Sequence, residues 1–342
     1  MTEKNDKYFE RKRVTRLLDT LYPICRSIMG PGYRESLEII RKYIPFKDDI
    51  FKTGENVYDW TIPDEWSIKD AYIITPSGEK IANFKKHNLH VLNYSISVDK
   101  KISYQELVKH IYTIPKLENA IPYVHSYYDK KWGFCLKHSQ FKKLPKKGKY
   151  HVYIKSRHYK GKLITSHKIL KGQKKKEVMF STYLCHPQMA NHELSGPIMM
   201  TLLYDYINSL KSRKYTYRFL LCPENIGSIS YLKKYGTIMK KNLEVGLILN
   251  CLAHGKNYTY KKTRIENSLI NQVVKNIFIN KKNNFSEVDF FPDGSDERQF
   301  SSPGFNFPFG LLMRNMYGKF KEYHTSLDNK KLFSIWYLEN FK

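Results

Sequence analysis

The chain has 342 residues, 41% of them hydrophobic and 15% aromatic, which excludes a disordered polymer and allows one large domain with an insertion, or two domains. Lys and Arg number 59 against 32 Asp and Glu, a formal charge of +27. The basic residues are scattered, with modest runs at "KKLPKKGK" and "KGQKKKE" and no nucleic-acid motif, so a lysine-rich composition explains the charge better than a nucleic-acid partner does.

In chain order, "MTEKNDKYFERKR" lacks the apolar stretch of a leader peptide, and no later segment approaches a membrane span, so a cytoplasmic, membrane-free protein is expected. "RVTRLLDTLYPICRSIMG" and "YRESLEIIRKYIPF" read as amphipathic helices separated by Gly30-Pro31-Gly32. Between residues 46 and 112 short aromatic and β-branched runs such as "DEWSIKDAYIITPSGEKIANF" alternate with Pro, Gly and Asn. This predicts a small β-rich domain with its own apolar cluster, inserted into an α/β domain made of residues 1–45 and 113–342.

From Glu177 the pattern changes again. "EVMFSTYLC", "YTYRFLLC" and "LEVGLILNCLA" read as buried strands, and "FPFGLLM" is a later apolar run. "LSGPIMMTLLYDYINSL", a short "GSISYLKKYG" closed by glycine, and "NSLINQVVKNIFI" read as helices. Buried strands alternating with helices predict a mostly parallel mixed sheet flanked by helices, whose ligands gather at the carboxyl ends of the strands. Asn191, Ser195 and Gly196 read as a polar cap followed by small residues that let the helix pack closely. The five cysteines (Cys25, Cys135, Cys185, Cys222 and Cys251) are odd in number and widely spaced, which favours free thiols in a reducing compartment. Cys185, at an apolar strand end, is expected to be an inert thiol and not a nucleophile.

Polar groups cluster at those strand ends: His186, His192, Glu193, Glu224, Asp296, Arg298, and then Glu322, His324 and Asp328. Imidazole with carboxylate is the donor set of catalytic zinc, where three protein ligands leave a position for water. Glu224, after Pro223, suits a general base, because a free carboxylate can take a proton from that water. Asp296 would orient a histidine or contact substrate, and Arg298 would clamp a substrate carboxylate; a buried ion pair is an alternative for both.

"STYLCHPQMANHELSGP", "YTYRFLLCPENIGSISYL", "GSDERQFSSPGFNFP" and "EYHTSLD" resemble the aminopeptidase-like proteins associated with polysaccharide biosynthesis. "DWTIPDEWSIKDAYI", "NLHVLNYSISV", "IPYVHSYYDKKWGFCL" and "RSIMGPGYRESL" extend the likeness, from about Arg11 to Asp328. The resemblance implies a zinc-exopeptidase-like core with an inserted β domain. It also implies a winged-helix domain beyond "YHTSLD", expected to be absent from a sequence that stops at Lys342. Against the wider two-zinc aminopeptidases, His186 matches the first metal-binding histidine and His324 the last. Glu224 falls where those enzymes place an acidic pair. His192 stands at their bridging aspartate, and Asn250 near a further ligating aspartate.

One zinc per chain is therefore expected, held by His186, His324 and either His192 or Glu193. The ring nitrogens of His186 and His324 should lie about 3–4 Å apart. The leading function is a zinc-dependent amide hydrolase acting on a peptide amino terminus or an amide of a glycan precursor. The alternatives are a non-catalytic scaffold on a decayed peptidase fold, or a basic binder of nucleic acid or anionic glycan.

Overall fold

The structure is a computed structural model that describes residues 11–280 and 285–339. The leader reading at residues 1–10 lies outside the described residues, as do the outermost ends of the two-part α/β domain. Among the described residues the main sheet has eight strands, in the order Lys47–Lys52, Lys162–Leu170, Thr216–Cys222, Glu177–Tyr183, Leu243–Leu249, Phe309–Met313, Tyr258–Lys261 and Phe285–Val288. The four central strands, from Thr216–Cys222 to Phe309–Met313, run parallel, and the pairs Lys47–Lys52 with Lys162–Leu170 and Lys162–Leu170 with Thr216–Cys222 are antiparallel. This is the predicted α/β class, with a mixed sheet.

Runs such as Phe219-Leu220-Leu221 are completely buried because helices cover both faces. The helix Ser195–Ser209 contributes Ile198, Met199, Met200 and Leu202 to the core shared with Leu221 and Leu249. It can approach so closely only because of Gly196: a Cβ there would stand 2.2 Å from Thr182 Oγ1 and 2.3 Å from the Leu249 carbonyl oxygen. Asn191 is not the cap expected of it. Its Oδ1 accepts the Ala253 N–H at 2.8 Å, and the Ser195 hydroxyl bonds the Asn191 carbonyl while accepting from Leu252 N–H at 2.9 Å.

The helix starting at Ile226 does not stop at Gly236 but continues to Asn242. Gly236 is there for contact, since a Cβ would come within 2.3 Å of the Phe305 ring.

A second, antiparallel sheet has the order Lys80–Ile81, Glu65–Ile74, Lys149–Tyr159 and Val98–Ser103. Its own cluster includes Ala71, Ile73, Trp132, Phe134, Tyr150 and Val152. The pairing differs from the expected bounds at both ends. Lys47–Lys52 is an edge strand of the main sheet, and the longest strand of the small sheet, Lys149–Tyr159, lies well beyond residue 112. The next strand, Lys162–Leu170, returns the chain to the main sheet. Among the described residues no helix is long and apolar enough to cross a membrane.

Candidate functional site

Three loops leave the carboxyl edge of the parallel strands and converge. The strand Glu177–Tyr183 runs into Cys185 and His186, and Arg26 fixes that exit by donating from Nε to the His186 carbonyl at 2.9 Å. His186 Nδ1 bonds Glu193 Oε2 at 2.8 Å; a carboxylate only accepts, so Nδ1 carries the proton and Nε2 faces Glu224, 3.7 Å away. Burial alone would lower the His186 pKa, but Glu193 and Glu224 outweigh it and raise it.

His192 and Glu193 lie in a fully buried π-helical turn, Ala190–Leu194, ahead of the helix Ser195–Ser209. Asp328 holds this turn, accepting the Asn191 and His192 N–H groups at 2.7 and 2.8 Å. His192 Nε2 meets the Tyr183 hydroxyl at 2.8 Å, which also accepts from Asn250 Nδ2 at 3.1 Å and reaches the His192 carbonyl at 3.4 Å. A Tyr183 proton directed to that carbonyl would make Nε2 the protonated nitrogen of His192. Its Nδ1 is buried without a partner.

His324 follows Tyr323, whose ring stacks on it with centroids 4.0 Å apart. Its backbone adopts φ 53° and its carbonyl accepts the Tyr123 N–H at 2.8 Å, while Nε2 is buried and unpartnered. Burial first, and the neighbouring imidazoles second, push the pKa values of His192 and His324 well down, so both rings are neutral near pH 7.

One ring nitrogen from each of His186, His192 and His324 lies within 4.8 Å of the other two. Three imidazoles with two orphaned nitrogens fit a borderline first-row cation such as zinc, and Glu193 behind His186 fits the carboxylate that commonly orients a ligating histidine. Cys185, His186 and Glu193 also approach within 4.8 Å. There, however, Nδ1 and the carboxylate are already bonded, and burial pushes the thiol pKa well up, against the thiolate a metal needs.

Glu224 stands on a strained turn. Ile226 N–H bonds the Glu224 carbonyl at 2.7 Å around Asn225 at φ 60°, ψ −70°, a γ-turn of the rare positive-φ kind. Asp296, fully buried, holds this turn by accepting Asn225 N–H at 2.6 Å and the Ser228 hydroxyl at 2.9 Å, both on Oδ1. Burial raises the Glu224 carboxyl above its ordinary value, with His186 opposing. Glu224, His186 and His324 line one cavity of about 400 Å³, whose outer wall is Trp60, His125, Tyr127 and Tyr128.

The structure thus brings together His186, His192, His324 and Glu224. Glu193 touches the cluster through His186, and Asp296 acts behind Glu224. Arg298 is not on this cavity; it lines a neighbouring cleft with Trp60, Arg264 and Phe290. Sequence reasoning gave no role to Arg26, Tyr183, Tyr127 or Tyr128, and named Asp328 without one. All five lie inside quoted motifs, Arg26 at the start of "RSIMGPGYRESL" and Tyr127-Tyr128 in "IPYVHSYYDKKWGFCL", but nothing in the local pattern there gives Arg26 or the tyrosine pair a task.

The family described as "Domain of unknown function (DUF4910)" matches residues 15–341. A Clostridium acetobutylicum protein, named for polysaccharide biosynthesis and an aminopeptidase-like domain, is 42% identical over 332 residues, 96% of this chain and 76% of its own. The crystal structure of a Clostridium acetobutylicum protein described as a peptidase superposes with a TM-score of 0.93 at 40% identity, covering 99% of this chain and 80% of that one. A zinc aminopeptidase of Bacillus subtilis superposes at 0.62 with 12% identity, over 98% and 91% of the two chains, a likeness of fold alone.

Proposed function

The chain belongs to the DUF4910 family, and from that premise we propose that it is a single-zinc amide hydrolase of the aminopeptidase-like kind. In this reading His186, His192 and His324 are the ligands and Glu224 is the general base. The observation that carries it is the convergence of three imidazole nitrogens beside a carboxylate at the floor of a substrate-sized cavity. When bound, zinc supplies Lewis-acid chemistry, polarising a carbonyl and acidifying water.

This chain's own residues do the rest. Glu193 fixes the His186 tautomer so that Nε2 offers its lone pair, and Tyr183 does the same for His192 Nδ1. Glu224, partly exposed and raised by burial towards a useful basicity, takes the proton of the attacking water and returns it to the leaving amine. Trp60, Tyr127 and Tyr128 narrow the mouth and orient the acyl or amine portion. The substrate is a peptide amino terminus or an amide on a glycan precursor; the name of the Clostridium acetobutylicum relative favours the second by association.

Metal analysis of protein purified without added metal, with hydrolysis assays on N-acyl sugars and aminoacyl amides, tests this. One zinc and amide cleavage are expected. Protein that binds no zinc and cleaves no amide would be a scaffold on a decayed peptidase fold.

A further inference from the structure

A second cleft, of about 550 Å³, opens beside the first. Arg264, Arg298, Trp60, Phe290 and Gln299 line it, and Asp59, an exposed residue, is the one carboxylate among its lining residues. Among the described residues Arg264 makes one hydrogen bond, from Nη1 to the Ser301 carbonyl at 3.4 Å. The Arg298 guanidinium has no hydrogen bond or ion pair among the described residues.

Cations with a purely structural task are treated differently nearby. Lys261, fully buried, places Nζ 2.8 Å from Glu297 Oε1, 2.7 Å from the Asp293 carbonyl and 3.0 Å from the Tyr317 hydroxyl. The two arginines, Arg264 exposed and Arg298 half-buried, instead line a concave space together with Trp60 and Phe290. That space adjoins the catalytic cavity at two points. Trp60 lines both. Gln299, from the second cleft, donates through Nε2 to Asn225 Oδ1 in the first at 3.1 Å.

We propose that this cleft is an anion subsite of the same substrate: the molecule whose amide reaches Glu224 carries an oxyanion group, phosphate or carboxylate, that lies beyond Trp60 against Arg264 and Arg298. The word substrate rests on the hydrolase reading, but the binding does not. Planar guanidinium forks suit oxyanions because each offers paired, parallel N–H donors. The overall charge of +27 draws anions to the whole surface, so the subsite must be separated from that general attraction.

Calorimetric titration of the full chain with N-acetylglucosamine 1-phosphate, N-acetylglutamate and uncharged N-acetylglucosamine makes the separation. At least one anionic probe should bind tenfold or more tighter than the neutral sugar, and the tighter of the two identifies the group. Arg298→Ala and Arg264→Ala should each weaken it about tenfold. Lys146→Ala/Lys147→Ala, which removes exposed charge elsewhere, should leave it unchanged. His186→Ala should retain arginine-dependent binding although amide cleavage is gone, so the subsite and the hydrolase reading fail separately. Equal affinity for charged and neutral probes, or equal losses in the lysine and arginine variants, would overturn the proposal.

Discussion

Asp328 accepts the backbone N–H of His192 at 2.8 Å across 136 residues of chain, tying the last loop of the site to the turn that carries its middle histidine. Its other oxygen takes Asn191 N–H at 2.7 Å. Asp328→Ala leaves two buried donors without partners, each costing about 1–3 kcal/mol. Chemical denaturation should show a loss of about 2–6 kcal/mol, and chelator competition a zinc affinity at least about tenfold weaker. Undiminished stability would mean that the turn is held by its helix alone.

His192 and Glu193 are neighbours with different tasks. His192→Ala should abolish zinc binding, because it removes an orphaned nitrogen from the centre of the cluster. Glu193→Gln still offers an oxygen to His186 Nδ1 and should keep the metal with about 10–100-fold lower affinity. Metal content and competition titrations separate the two. The opposite ranking would make Glu193 the ligand.

Glu224→Gln should leave one zinc per chain in place while amide hydrolysis falls about 10²–10⁴-fold, the usual contribution of a positioned general base. His186→Ala should lose both metal and activity. The stoichiometry follows from His192 and Asn250, neutral side chains joined through the Tyr183 hydroxyl, which offer no bridging carboxylate to offset repulsion between two adjacent cations. Elemental analysis giving two zincs, or loss of metal in Glu224→Gln, would contradict this assignment.

Asp296 gives a pH-dependent signature. Burial, and then the neighbouring Glu224 carboxylate, push its pKa up to about 8. In the unfolded chain the same carboxyl releases its proton near pH ~3.9. Between those values the folded state binds more protons, so stability from this residue falls as pH rises, at up to about 1.4 kcal/mol per pH unit. Asp296→Asn preserves Oδ1, the atom that accepts from Asn225 and Ser228, and should flatten that slope in denaturation curves taken from pH 4 to 8. An unchanged slope would assign it to other groups.

The parallel strands were legible because Glu177–Tyr183, Thr216–Cys222 and Leu243–Leu249 are apolar runs ending at chemically distinctive residues. Lys149–Tyr159 was not: its inward Tyr150, Val152 and Ile154 alternate with polar or charged residues, and its partners Glu65–Ile74 and Val98–Ser103 lie far back in the chain. Gly236 misled because a glycine that ends a helix and one that admits Phe305 look alike in sequence. The three histidines could be listed from their motifs. Which nitrogen each presents depends on Glu193 and Tyr183, and that Arg298 faces another cleft depends on tertiary placement; spacing carries neither.

The aromatic mouth has a consequence for how this scaffold can diversify. Trp60, Tyr127 and Tyr128 lie outside every strand of the main sheet, whereas His186, Glu224 and Asn250 each follow one of its parallel strands. Tyr128 is 55% exposed and meets Trp60 edge-on with centroids 5.9 Å apart, so this part of the rim is a surface contact between a loop and the short hairpin Asn56–Val57/Trp60–Thr61. Lengthening or recolouring that loop and hairpin leaves the main-sheet strand pairs behind the histidines untouched. Selectivity and reactivity therefore sit on separate mutational axes, and libraries confined to the rim should change what is accepted while leaving the chemistry in register.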